Sequence, residues 1–211
     1  MPFFTDRYRV IALDLPGMGD SSHRAEYGID CFAKAILAAI HQYQLAPLTI
    51  IGHSFGGVHC MYAMKLAPAL FRDGIVIDSN IWFPQQRRIA APPMQDHKRR
   101  ASRQECMARF SLTPPQPVAL DFLMDYVAYH SCTGDNNGWR WKFDYLTRTA
   151  SMIADADLLT DIEVPVDCIY GELSVYNKAD LADVAHRAFA QLGELVVVPE
   201  AHHHLAMDHP L

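Results

Sequence analysis

The sequence predicts an α/β domain, a mostly parallel sheet with helices on both faces, and three observations carry that prediction. Short β-branched or apolar runs alternate with longer stretches whose apolar residues recur at helical spacing. The pattern Gly52-His53-Ser54-Phe55-Gly56 lies where one such run, 49–51, meets one such stretch, 58–67, which stops at Pro68. Histidines cluster after the last run, as Ala201-His202-His203-His204. Strand C-termini share one edge of a parallel sheet, so the loop after the last strand can reach the turn at Ser54.

Residues 8–14 read as a strand, 15–21 as a glycine-punctuated loop, and 30–43, with Ile36, Leu37 and Ile40, as a helix. At the turn around Ser54, small residues are what a sharp bend demands. Side chains at Gly52 and Gly56 are expected to collide with neighbouring backbone, and Ser54 itself to hold strained geometry. Residues 74–78 form another short buried strand. From 81 to 160 the alternation breaks: Pro84, Pro92, Pro93, Pro114, Pro115 and Pro117 punctuate it, 121–129 is helical, and 138–144 is an aromatic cluster. A structureless loop of that length is improbable, so it reads as a helical insertion, a lid, between core segments 1–80 and 161–211. The sheet resumes at 166–170 and, after a helix over 179–192, at 195–198.

Composition narrows the possibilities. With 211 residues, half of them apolar, the chain can build one sizeable core. A net charge of −6, with basic clusters only at Arg87-Arg88 and Lys98-Arg99-Arg100, offers no track for nucleic acid. Five scattered cysteines without a C-x-x-C pair point to reduced thiols and away from a disulfide scaffold or zinc site. No secretion signal or membrane-length apolar run is visible, so the expectation is a soluble, cytoplasmic protein without a membrane or nucleic-acid partner. Nothing in the sequence sets an oligomeric state.

A serine nucleophile needs a base within hydrogen-bond reach, and the base needs an acid to orient it. The helix that follows Ser54 aims free N–H groups at the position where an oxyanion would form. Adjacent residues cannot all face one ion in a helix or strand, so His202, His203 and His204 are read as holding no metal.

Four stretches in chain order resemble the α/β-hydrolase fold superfamily. Residues 14–21, Asp-Leu-Pro-Gly-Met-Gly-Asp-Ser, look like the loop after its fourth strand, and Gly52-His53-Ser54-Phe55-Gly56 like its nucleophile elbow. Tyr170-Gly171-Glu172 is similar to the end of the seventh strand, and 199–210 to the histidine loop after the eighth. The resemblance implies Ser54 as nucleophile, His203 as base and the Phe55 backbone N–H as an oxyanion donor, with no cofactor. The usual acid position after the seventh strand falls on Ser174. Asp78, which follows the sixth strand, is therefore the favoured acid, and Glu172 the alternative. His53 beside the elbow, with Trp82, Phe83, Trp139 and Trp141 of the lid, is assigned to the substrate pocket.

The resemblance also implies that strands normally precede residue 8, with a His-Gly loop giving a second oxyanion donor, and that a closing helix follows 211. The expectation is thus a shortened hydrolase core lacking its first strands, of reduced stability or activity. The leading function is cleavage of an ester or related acyl bond of a small apolar substrate. Carbon–carbon bond hydrolysis, which uses the same triad, stays open. The alternative is a non-catalytic remnant acting as a binding or interaction protein.

Overall fold

A computed structural model describes residues 4–28, 30–81, 98–118, 120–147 and 159–210. In chain order the elements are α1 (Cys31–Gln42), β1 (Leu48–His53), α2 (Phe55–Leu66), a 3-10 turn (Pro68–Leu70), β2 (Phe71–Ile77), α3 (Arg103–Met107), α4 (Asp121–His130), β3 (Cys132–Asp135), β4 (Gly138–Trp141), β5 (Val166–Gly171), α5 (Leu181–Ala188), β6 (Leu192–Val198) and α6 (Leu205–Asp208).

The main sheet has the order β1-β2-β5-β6, and every neighbouring pair is parallel. Parallel pairing requires a crossover each time the chain returns to the same edge. Helix α2 supplies it between β1 and β2, the insertion between β2 and β5, and α5 between β5 and β6. Helix α5 shows the sequence logic most simply. Leu181, Val184, Ala185 and Ala188 are buried at helical spacing, while Asp183, His186 and Arg187 face water. Burying Leu181 and Val184 contributes about 1.5–3 kcal/mol each. Helix α2 is instead apolar nearly all round and lies inside, with Met61, Ala63 and Met64 fully buried and α1 packed against it. Val76, Cys168 and Tyr170 complete the centre of the core, and the Tyr170 hydroxyl donates to the Ser79 carbonyl at 2.7 Å.

Two expectations about the sheet and its insertion need correction. Residues 8–14 form no strand: the stretch is irregular, with Tyr8 62% and Ile11 52% exposed. Strand-forming side chains are not sufficient without a ladder for the backbone and a surface to pack on. Among the described residues, β1 is one edge of the sheet, and its Ile51 is 57% exposed.

The insertion is not purely helical either. Alongside α3 and α4, β3 and β4 form an antiparallel hairpin in which Asp135 faces Gly138 across a two-residue turn. Gly138 has φ 107°, and a Cβ there would stand 2.6 Å from the Arg100 carbonyl. That closeness comes from a one-residue bridge, in which Arg100 and Trp139 exchange N–H···O bonds of 2.8 Å. Ser102 caps α3 by accepting the Glu105 N–H at 3.1 Å, and the Glu105 carboxylate accepts the Ala101 N–H.

All five cysteines are free thiols. No helix among the described residues is long and apolar enough to cross a membrane.

Candidate active site

Ser54 stands between β1 and α2 with φ 52° and ψ −121°. A non-glycine residue in that region stores about 1–3 kcal/mol of strain and persists only when its surroundings hold it. The Ser54 N–H donates to the Ile77 carbonyl at 2.9 Å, and the Ser54 carbonyl accepts the Val58 N–H at 3.1 Å. The steric demand on the turn is real but falls partly elsewhere than expected. A Cβ on Gly52 would lie 2.6 Å from the Gly57 Cα, and one on Gly57 would lie 1.9 Å from Ser79 Oγ. At Gly56 a Cβ would meet nothing within 4 Å. The turn pinches Gly52 against Gly57, because the first turn of α2 leans on the end of β1, while Gly56 looks outward.

Asp78 follows β2 with φ 43° and is fully buried. Its carboxylate accepts the Gly171 N–H at 3.2 Å on Oδ1, and on Oδ2 the Ser174 hydroxyl at 2.5 Å and His203 Nδ1–H at 2.7 Å. With Nδ1 facing a carboxylate, the imidazole carries its proton there, so the Nε2 lone pair is left for the Ser54 hydroxyl, 2.8 Å away. His203 itself is 2% exposed. Serine, imidazole and carboxylate thus form one continuous chain of hydrogen bonds. Glu172, the alternative acid, is not beside His203. Its carboxylate faces the other way and accepts the Glu200 N–H at 2.9 Å. Ser174 explains how the exchange of acid positions is accommodated. It sits where the family resemblance locates an acid, and its hydroxyl instead donates to the carboxylate that arrives from β2.

The alpha/beta hydrolase family model matches residues 1–211, the whole chain. The chain belongs to the alpha/beta hydrolase family. Solved structures of the same fold include E-2-(acetamidomethylene)succinate hydrolase, with a TM-score of 0.80 at 21% identity over 99% of this chain and 80% of that one. The thioesterase domain from a curacin biosynthetic pathway gives 0.78 at 22% identity, with the same coverage of 99% and 80%. Among curated relatives, pimeloyl-(acyl-carrier protein) methyl ester esterase of Methylococcus capsulatus is 35% identical over 68 residues, which are 32% of this chain and 25% of that protein. Epoxide hydrolase 4 of Homo sapiens is 22% identical over 98% of this chain and 63% of its own length. The matches therefore span a quarter to somewhat under two thirds of those two relatives.

The histidine loop of this alpha/beta hydrolase chain is held largely by groups that the sequence did not single out, with His53 as the exception. The loop passes so close over β5 that a Cβ on Gly171 would lie 2.4 Å from the Ala201 carbonyl. Asp208 accepts the His202 N–H at 2.6 Å and lies 3.2 Å from His202 Nδ1. Gln116, from the insertion, donates to Asp208 at 3.0 Å and accepts the His204 N–H at 2.7 Å. Tyr176 packs edge-on to His203, with ring centroids 5.1 Å apart. His53 donates from Nε2 to the His203 carbonyl at 2.8 Å, which braces the loop from the elbow side. Burial lowers the pKa of His53, and burial together with the neighbouring imidazoles pushes that of His204 down to about 4. One ring nitrogen each of His53, His203 and His204 lie within 4.8 Å of one another.

The remaining pocket assignments spread out. Trp82 and Phe83 lie outside the described residues. In the hairpin, Trp139 stacks with the Arg103 guanidinium at 4.3 Å, and Trp141 packs near Phe110 at 5.8 Å. The Phe55 backbone N–H opens α2, where the first-turn donors have no acceptor within the helix. Its ring packs edge-on to Phe32 and to His59, at 4.9 and 4.4 Å.

Proposed function

We propose that this chain is a serine hydrolase that cleaves an ester or related acyl bond of a small apolar substrate. The single observation that carries the reading is the hydrogen-bonded chain from Ser54 Oγ through His203 to the buried Asp78 carboxylate. In this scheme Ser54 Oγ attacks the acyl carbon while its proton passes to His203 Nε2. Asp78 keeps the Nδ1–H aligned and stabilises the imidazolium that forms. The Phe55 N–H, at the positive end of α2, holds part of the charge that develops on the acyl oxygen. His203 returns the proton to the leaving group, and a water activated by the same imidazole frees the acyl group from Ser54. A hydroxyl at the elbow, in place of a carboxylate, favours acyl chemistry over opening of an epoxide. Methyl ester and thioester are the bond types in the names of two relatives, and both suit this machinery.

A fluorophosphonate probe tests the reading, since it labels only a serine hydroxyl activated by such a base. The folded chain is expected to label at Ser54 and to hydrolyse short-chain aryl esters and thioesters. Ser54→Ala should abolish both. Absence of labelling in a folded sample would favour a non-catalytic binding protein on the hydrolase scaffold. Hydrolysis of a β-diketone, with esters left intact, would favour the carbon–carbon variant.

A further inference from the structure

We propose that His53, His203 and His204 together form a binding site for a single transition-metal cation of the Zn²⁺ or Cu²⁺ class, which switches off Ser54 by occupying its base. The three imidazoles come from two places in the chain, the elbow and the histidine loop, and one nitrogen of each lies within 4.8 Å of the others. Imidazoles bound to a tetrahedral zinc at its usual bond length stand about 3.3 Å apart. A side-chain adjustment of about an ångström would therefore bring these three onto one ion.

An independent observation concerns the third imidazole. His204 Nε2 is buried and has no hydrogen-bond partner among the described residues. A buried polar nitrogen without a partner is costly, and a metal bond at that nitrogen would recover the loss. The neighbouring rings stand tilted to one another and not stacked face to face, with centroids 4.9 Å apart for His53 and His203 and 4.7 Å for His203 and His204. Imidazole suits zinc and copper, and no carboxylate in the cluster favours a harder ion such as magnesium. The backbone holding His204 is fixed by its N–H bond to Gln116 and that of His203 by His53, so the loop arrives largely organised.

The cost to catalysis follows from the lone pairs. His203 has one nitrogen engaged with Asp78, so only Nε2 can bind the metal, and that is the lone pair that faces Ser54 Oγ. Metal binding and acceptance of the serine proton are then mutually exclusive. Ser54 Oγ or water remains to fill the fourth position.

Binding does not depend on the proposed hydrolytic role, whereas inhibition does, and the test separates them. Competition against a chromophoric zinc chelator should give one Zn²⁺ per chain, with His204→Ala weakening it by at least about tenfold. His204→Gln serves if the alanine variant does not fold, as judged by circular dichroism. In the ester assay, Zn²⁺ should suppress turnover by the unmodified chain, and a chelator should restore it. His204→Ala should lose the suppression, read as the ratio of its own turnover with and without Zn²⁺. Stoichiometric binding that survives both His204 substitutions overturns the site, as does a folded chain that binds no zinc. Zinc bound through His204 without loss of turnover overturns the inhibitory role.

Discussion

Asp78→Asn keeps the shape of the side chain but replaces an acceptor oxygen with a donor in a pocket where Gly171 N–H, Ser174 Oγ–H and His203 Nδ1–H all need acceptors. One of those donors must lose its partner, or the imidazole must take the wrong tautomer. The expected result is a loss of kcat on the order of 10³–10⁴ with little change in KM, measured on an aryl ester. Glu172→Gln should stay within a few-fold, because its contact is a backbone N–H and not the imidazole. Gly56 and Gly57 differ just as sharply. Gly56→Ala places its methyl in open space within a helix and should be neutral or stabilising by up to about 1 kcal/mol. Gly57→Ala drives a methyl into Ser79 and should destabilise by about 1–3 kcal/mol or more in urea unfolding. The G-x-S-x-G pattern made Ser54 legible, but it could not say which glycines are pinched, since Ser79 approaches from the loop beyond β2.

Two elements differ in how readable they were. The hairpin of β3 and β4 announces itself in Asn136-Asn137-Gly138, a turn signal between a Cys-Thr pair and Trp-Arg-Trp. Its proline-rich surroundings and the helical spacing of 121–129 mask that signal. The clamp on the histidine loop had no such signal. Gln116 meets the His204 backbone from 88 residues away, and nothing local marks a glutamine for that task. Gln116→Ala and Asp208→Ala each leave buried or half-buried partners unsatisfied around the loop, at about 1–3 kcal/mol apiece. Since the loop carries His203, kcat should fall by about tenfold or more, while KM changes less. An unchanged kcat in both variants would show that β5, His53 and Asp78 hold the imidazole unaided.

Across the whole molecule, stability is expected to depend on pH through His59. This residue lies on α2 with no solvent exposure, and both ring nitrogens lack partners among the described residues. Burial pushes its pKa from 6.5 down to about 4. Below pH 6.5 the unfolded chain therefore binds a proton that the folded chain refuses. The contribution is fully present above that pH and is lost as pH falls through about 4, amounting to about 3 kcal/mol at most. Urea unfolding at pH 7 and pH 4.5 should show this loss in the unmodified chain and a smaller one in His59→Leu. A free-standing irregular stretch at 8–14 and an exposed β1 edge make the sheet depend on its β1-β2-β5-β6 ladder and on the packing of α2. By itself the sequence determined the α/β class, the position of each core strand from β1 onward, and the turn that lifts Ser54 out of the sheet, because alternation, helical spacing and glycine placement are local properties. That Asp78 and Ser174 meet at one carboxylate, that Glu172 bonds the Glu200 backbone instead, and that three imidazoles come together follows from the folded arrangement alone. Those contacts join strand ends far apart in the chain, and which side chain reaches across a sheet edge is fixed by strand order and register, not by its neighbours in sequence.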